Sequence, residues 1–231
     1  MHSGPAVFGL LRNPKILNVV ESVVGPEIYT SPVQQMRMKP PEKTLSGNNA
    51  MHSNVGKTTW HQDIVALLPE ADDTFVLTVW VAITEASEKN GCLVSVPGSH
   101  RHGPMTHCSN AELASEPQVP PAPHGRARRS GPAGKTWRYH SVDKLNIHSA
   151  LPSRSESMRW SVDLRYQRTG EATGRPAFPG FVARSRANLE SELHDPEHWA
   201  ARWEAARKSI ITGGYEGRIF EDTRWNNSAV C

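Results

Sequence analysis

The sequence predicts a mainly β fold with flanking α-helices, and three features lead there. Residues 74–83, Thr-Phe-Val-Leu-Thr-Val-Trp-Val-Ala-Ile, are rich in the β-branched and aromatic side chains that suit a pleated surface. Shorter runs of similar character recur between breaks made by Pro and Gly. Strong helix signals stand only near the two ends of the chain.

Taken in order, residues 13–24 predict a helix in which Asn13 caps, Pro14 takes the first helical position and Gly25-Pro26 ends the run. Ile16, Val19, Val20 and Val23 are its expected apolar face. Residues 28–38 read as one strand that stops at Pro40-Pro41. A loop over 42–57, containing Gly, Asn and Ser, leads into a strand bearing His61. Beyond 74–83, residues 91–96 predict a short strand ended by Pro97-Gly98. A last helix is expected over 195–210, with Asp195 as N-cap and Pro196 at its first position. Trp199 and Trp203, four residues apart, share one face of it and read as packing residues.

Composition narrows the class. The 231 residues are 37% hydrophobic and 21% charged, the balance of a globular protein that can bury a core. A net charge of +3 makes no general case for nucleic acid. No apolar run reaches membrane-spanning length, and the Met1-His2-Ser3-Gly4-Pro5 start lacks the regions of a signal peptide. The expected setting is intracellular and cytoplasmic, with no membrane partner. Cys92, Cys108 and Cys231 are too few and too scattered for a disulfide framework or a CxxC zinc site. Cys92 reads as a small buried hydrophobe.

The segment that carries chemistry is Thr58-Thr59-Trp60-His61-Gln62-Asp63, answered downstream by His148 and Arg159. On a strand, residues two apart point to one face, so His61 and Asp63 can present a nitrogen and an oxygen together. A histidine from a distant strand completes two imidazoles and a carboxylate on one side of a metal, a facial set that suits non-haem Fe(II) and leaves positions open. Arg159 can clamp a carboxylate with its flat two-pronged donor.

The words around these residues are Lys39-Pro40-Pro41, Asn90-Gly91-Cys92-Leu93, Val96-Pro97-Gly98-Ser99-His100 and Arg159-Trp160-Ser161-Val162-Asp163-Leu164-Arg165-Tyr166. Together with His61-Gln62-Asp63 they resemble the phytanoyl-CoA dioxygenase family of Fe(II)- and 2-oxoglutarate-dependent oxygenases, over roughly residues 13–210. The resemblance implies a double-stranded β-helix, a cupin-like jelly roll with the metal inside its open end. It implies one such domain over 1–231, N-terminally short. His61, Asp63 and His148 would ligate Fe(II), and Arg159 would hold the distal carboxylate of the co-substrate 2-oxoglutarate. Gln35, Gln62 and Trp80 would line the co-substrate pocket. Molecular oxygen and a small organic metabolite would be the partners, with succinate and carbon dioxide released.

Several residues depart from that pattern. The stretch 126–142 is polar and basic where the family has an apolar strand, and His140 there rivals His148 as ligand. His148 is preferred because Leu145-Asn146-Ile147-His148 keeps the family's phrase and its distance to Arg159. Ala150 stands where relatives often place a co-substrate serine, so a hydrogen bond is missing or Ser149 replaces it. His100 reads as structural or near the entrance. Residues 103–136, rich in Pro, Ala, Ser and charge, read as a mobile insertion. Its basic residues Arg126, Arg128, Arg129 and Lys135 lack the aromatic platform of a nucleic-acid site. The altered strand and Ala150 also suit a catalytically impaired relative that serves as a binding protein, the alternative to an active hydroxylase.

Overall fold

The computed structural model describes residues 3–45, 55–56, 58–108, 118–120 and 137–219, with the side chains of 137–139 left aside. The basic cluster at Arg126, Arg128, Arg129 and Lys135 lies outside the described residues, as does most of the expected insertion. Among the described residues, three α-helices, α1 (Pro5–Leu11), α2 (Pro14–Val24) and α3 (Pro196–Ile211), accompany nine strands. The strands are β1 (Glu27–Thr30), β2 (Gln35–Lys39), β3 (Thr58–His61), β4 (Leu77–Ala86), β5 (Leu93–Ser95), β6 (Trp137–Asp143), β7 (His148–Ala150), β8 (Arg159–Arg168) and β9 (Phe181–Ser185). They form a six-stranded sheet in the order β6-β4-β8-β1-β9, with β2 also paired to β8, and a three-stranded sheet β3-β7-β5. The mainly β class with flanking helices is as expected. No helix among the described residues is long and apolar enough to cross a membrane.

The chain gathers into two compact units. One comprises Met1–Gln35, Ala66–Val79 and Leu164–Glu221. It contains the three helices and the antiparallel ladders of β1 with β8 and β9. Asn13 caps α2 as expected, accepting a hydrogen bond from the Lys15 backbone N–H at 3.0 Å, and Gly25 leaves the helix at φ 102°. The buried face differs from the expected one. Leu17, Val20 and Val24 are buried, while Val23 is 50% exposed. Two apolar rows share Val20, and packing selects the row that sequence periodicity alone leaves equal.

The single strand expected over 28–38 is two strands. Pro32 lacks the N–H that a ladder needs, so β1 ends at Thr30 and β2 starts at Gln35. Inside the break the Gln34 side chain donates to the Ser31 carbonyl and accepts from the Arg165 N–H, giving the buried turn its polar partners. β4 begins three residues later than expected, because Thr74 closes a turn on Ala71 and donates its hydroxyl to the Ala172 carbonyl.

The core of this unit is aromatic. Asp195 caps α3 through the Glu197 N–H, and the helix turns Trp199 inward against Phe8 (5.6 Å between ring centroids) and Phe181 (5.5 Å). Trp203 stacks on Phe178 at 5.4 Å. The packing reading of this tryptophan pair therefore holds. Trp199→Ala would remove a side chain that is 1% exposed. It is expected to destabilise the protein by about 3–5 kcal/mol, measured by urea unfolding. A loss under about 1 kcal/mol would contradict this account of the core.

The second unit comprises Met36–Val65 and Trp80–Asp163 among the described residues. Here β3 pairs with β7 and β7 with β5, both antiparallel, with His61 opposite His148 and Ser95 opposite His148. Strand β6 forms over the polar stretch before His148, so the unusual composition does not abolish the element. Gly91 has φ +86°, and a Cβ there would lie 2.6 Å from the Leu151 carbonyl oxygen and 3.1 Å from the Lys39 side chain. Only glycine permits that approach.

A buried histidine–aspartate–histidine site

His61 closes β3, His148 opens β7, and pairing in the same register sets their rings side by side, 4.3 Å between centroids. Asp63 is not on the strand, as the two-residue spacing had implied. It is the first residue of a 3-10 turn, Asp63–Ala66, and reaches the same place from there. The turn is tied down where the Ile64 N–H donates to the Lys144 carbonyl. Among the described residues, His61, Asp63 and His148 form the group able to hold a metal, with one donor atom from each lying within 4.8 Å of the others. All three are buried.

The donor atoms are chemically prepared. His61 Nδ1 faces the Thr59 carbonyl at 2.8 Å, and His148 Nδ1 faces the Asn146 carbonyl at 2.9 Å. A carbonyl can only accept, so each Nδ1 carries the proton and each Nε2 keeps its lone pair. Both Nε2 atoms stand 3.9 Å from Asp63 Oδ1, too far for a hydrogen bond. Burial first, and then the neighbouring His148, hold the His61 imidazolium pKa well below its usual value, so the ring stays neutral. Two neutral imidazoles and a carboxylate, with backbone bonds fixing the rings from behind, fit a divalent first-row metal.

Arg159 and Trp80 come together. The guanidinium of Arg159 is 0% exposed and lies over the Trp80 ring, 5.3 Å from its centroid. Its Nη1 donates to the Ser161 hydroxyl at 2.6 Å, while Nε and Nη2 have no hydrogen-bond partner among the described residues. Burial lowers its pKa to about 10, which leaves it charged at neutral pH. A wholly buried cation with two unpaired N–H groups is costly unless an anion joins it.

Other expected residues fall differently. Gln62 is fully buried, and its amide N–H groups donate to the carbonyls of Gly103 (3.0 Å) and Leu145 (2.6 Å). Its amide oxygen accepts from the Met105 N–H at 2.7 Å. Both donors are thus engaged by main chain, and Gln62 is a loop anchor instead of the co-substrate contact expected of it. Gln35 opens β2 and is half-buried. Ser149 uses its hydroxyl to bond the Thr58 carbonyl at 2.7 Å, so it does not replace the serine missing at Ala150. Ser161 is the hydroxyl that reaches the arginine. His140 sits near enough for His148 to lower its pKa, burial being the larger cause, but it is not in the metal-binding group. In the Pro-Gly-Ser-His run, Ser99 is the structural member, its hydroxyl accepting from the Ile147 N–H at 2.8 Å, and His100 is exposed.

Three residues carry roles that the sequence reading missed. Arg37 is paired with Asp163 at 2.8 Å, and both are buried. Its charge adds to the terms that keep His61 neutral. His107 is buried and receives the Gln62 backbone N–H on Nε2 at 2.9 Å. Lys39, 1% exposed, donates to the Gly56 carbonyl. Period-two placement of Arg37 and Lys39 on β2 was the available signal, since two charged residues on one face of a strand ending in prolines call for a polar interior.

Burial, with the nearby charges of Arg159 and Arg37, pulls the Lys39 ammonium pKa from 10.5 down to about 7. Between those two values an unfolded chain holds a proton on Lys39 that the folded chain releases, so raising the pH stabilises the fold through this group. The slope is at most about 1.4 kcal/mol per pH unit. Lys39→Met should remove it: between about pH 7.5 and 9.5, unfolding midpoints of the unaltered protein should rise relative to those of the variant. Parallel midpoints would refute the depressed lysine.

A probable alpha-ketoglutarate-dependent hypophosphite dioxygenase of Stutzerimonas stutzeri is 33% identical over 96 residues, 42% of this chain and 28% of that protein. A probable phytanoyl-CoA dioxygenase of Caenorhabditis elegans is 26% identical over 175 residues, 70% of this chain and 51% of that protein. The chain thus matches about half or less of the length of these relatives. A solved non-heme monooxygenase, ThoJ in its apo form, superposes with a TM-score of 0.57 at 20% identity, covering 92% of this chain and 79% of its own. That likeness gives the fold, a jelly roll. The family model of phytanoyl-CoA dioxygenase (PhyH) matches residues 1–141, more than half of the 231, and the chain belongs to the phytanoyl-CoA dioxygenase family.

Proposed function

We propose that the protein is an Fe(II)- and 2-oxoglutarate-dependent dioxygenase that hydroxylates a small organic metabolite. The observation that carries the reading is Arg159, a buried guanidinium with two N–H groups unpartnered, in the same compact unit as a buried His-Asp-His donor set. The first invites a carboxylate and the second a divalent metal, and 2-oxoglutarate is a ligand that needs both.

In this reading His61, Asp63 and His148 would hold Fe(II), which would supply the oxidising chemistry by which one O2 gives one oxygen atom to succinate as 2-oxoglutarate loses carbon dioxide and the other to a substrate C–H bond as hydroxyl. Each chain residue has a simpler task. The Thr59 and Asn146 carbonyls hold the imidazole Nδ1 protons and aim Nε2 at the metal. Arg159 receives the distal carboxylate in two-pronged fashion. Trp80 supports the guanidinium face and excludes water, and Ser161 fixes its rotation. Gln35 remains a proposed wall of the co-substrate pocket. No side chain is required as a general base, which agrees with the absence of one from the residue roles above. Burial on all sides keeps water from competing for Arg159.

An oxygen-free titration with Fe(II) and then 2-oxoglutarate tests the reading, followed by the visible charge-transfer band of the chelate and by succinate release once oxygen is admitted. Asp63→Ala should lose the band and turnover while the far-ultraviolet spectrum is retained. Arg159→Lys should weaken 2-oxoglutarate by about tenfold or more and leave Fe(II) affinity nearly unchanged, because lysine cannot reproduce the fork. Full turnover in Asp63→Ala would refute the metal site. A fall in Fe(II) affinity alone would refute the role given to Arg159.

A further inference from the structure

The peptide between two of the proposed metal ligands is held by a network that metal binding does not by itself explain. Gln62 stands between His61 and Asp63. Its backbone N–H donates to His107 Nε2 at 2.9 Å, and His107 Nδ1 in turn faces the Met105 carbonyl at 2.8 Å. The Gln62 N–H can only donate and the Met105 carbonyl can only accept, so the ring carries its single proton on Nδ1. The Gln62 side chain reaches three further backbone groups: the Gly103 carbonyl, the Met105 N–H and the Leu145 carbonyl. Leu145 lies three residues before His148, so one amide ties the His61–Asp63 segment to the segment that delivers the third ligand.

We propose that His107 and Gln62 are a positioning pair that preorganises the metal site, and that docking of the 103–107 loop is thereby coupled to metal occupancy. The physical case is geometric. Asp63 stands off the strand, so ladder hydrogen bonds do not fix it relative to His61. What orients the intervening peptide plane is its N–H, and the group that receives that N–H is buried His107. Rotation of this plane would swing the Asp63 carboxylate away from both imidazoles. Gln62 performs the same duty for the Leu145 segment. His107 holds the Gln62 backbone and the Gln62 side chain holds the Leu145 backbone, neither of them a proposed ligand, so the pair acts through His61, Asp63 and His148. Because the coupling is thermodynamic it runs both ways: the loop holds the ligands, and a bound metal holds the loop.

The inference rests on the metal reading proposed above, and the experiment separates the two. Co(II) and Zn(II) affinities are measured for the full chain carrying no substitution, His107→Leu, His107→Gln or His61→Ala, together with the ligand-field spectrum of the Co(II) forms. His107→Leu should lose about ten- to a hundredfold in affinity and change the Co(II) band pattern. His107→Gln, whose amide offers an acceptor for Gln62 and a donor for Met105, should return both toward the original values. A lowered melting temperature alone, with affinity and band pattern unchanged in His107→Leu, would overturn the positioning role. Failure of the unaltered protein to bind either metal, or equal binding by His61→Ala, would overturn the metal reading itself. If His107→Leu does not fold, hydrogen exchange in the unaltered protein decides. Zn(II) should slow exchange at the Gln62 and Met105 amides, and unchanged rates there would overturn the coupling.

Discussion

Two hydrogen bonds from imidazole to main chain govern what this interior can do. His61 and His148 each give the Nδ1 proton to the carbonyl two residues earlier, at 2.8 and 2.9 Å. That choice commits both Nε2 lone pairs to one small volume beside Asp63 Oδ1. It is a local bond, set by strand geometry, so each ligand arrives on its strand already in the right tautomer and nearly the right rotation. Pairing of β3 with β7 then needs only the correct register to bring the two rings to 4.3 Å. The burial that keeps His61 neutral is the same burial that would keep water from a bound ion.

Charge around this volume is unbalanced in one direction. Arg37 is matched by Asp163, and Asp63 belongs with the histidines. Arg159 remains without a carboxylate hydrogen-bonded to it, and Lys39, held close to half-protonated at neutral pH, adds to the positive potential. An interior with this excess is poor as a structural core, since buried cations lose hydration that packing does not return. It is well arranged to receive a dicarboxylate whose one end meets a metal and whose other end meets the guanidinium. The cost to the empty fold and the affinity for the co-substrate have a single origin.

Much of this was legible in the sequence because its signals are local. Asn13-Pro14 and Asp195-Pro196 carry their capping chemistry within three residues, and both helices begin where those signals place them. The residues that the structure brings together, His61 with His148 and Trp80 with Arg159, were singled out by their surrounding words. Less legible were features decided by packing or by distant partners. The inward face of α2 depended on which of two apolar rows met the core. The break at Pro32 was written in the sequence, yet its flanking apolar residues suggested one continuous strand. Asp63 was assigned to a strand face by spacing alone, whereas the structure reaches the same convergence through a turn. Gln62 was expected as a co-substrate contact from the family motif, and only the positions of Gly103, Met105 and Leu145 reveal its three backbone bonds. His107, 45 residues away from Gln62, had no sequence signal to join it there.

That last pairing bears on how the family's fold can vary without losing its site. The three-stranded sheet carries two of the ligands on paired strands, so their relation is protected by every ladder bond between β3 and β7. Asp63 has no such protection. Its turn is held by the Ile64 N–H bond to the Lys144 carbonyl and by two side chains, Gln62 from within the motif and His107 from the segment that follows the Ser99–His102 turn. The proposed ligand least secured by secondary structure is therefore the one tied to a loop. A protein built this way can tune the geometry of its carboxylate ligand through residues 103–107 while both histidines stay fixed. On the proposed positioning role, a change in that loop would act on the site through the Gln62 peptide plane, with His61, Asp63 and His148 unaltered.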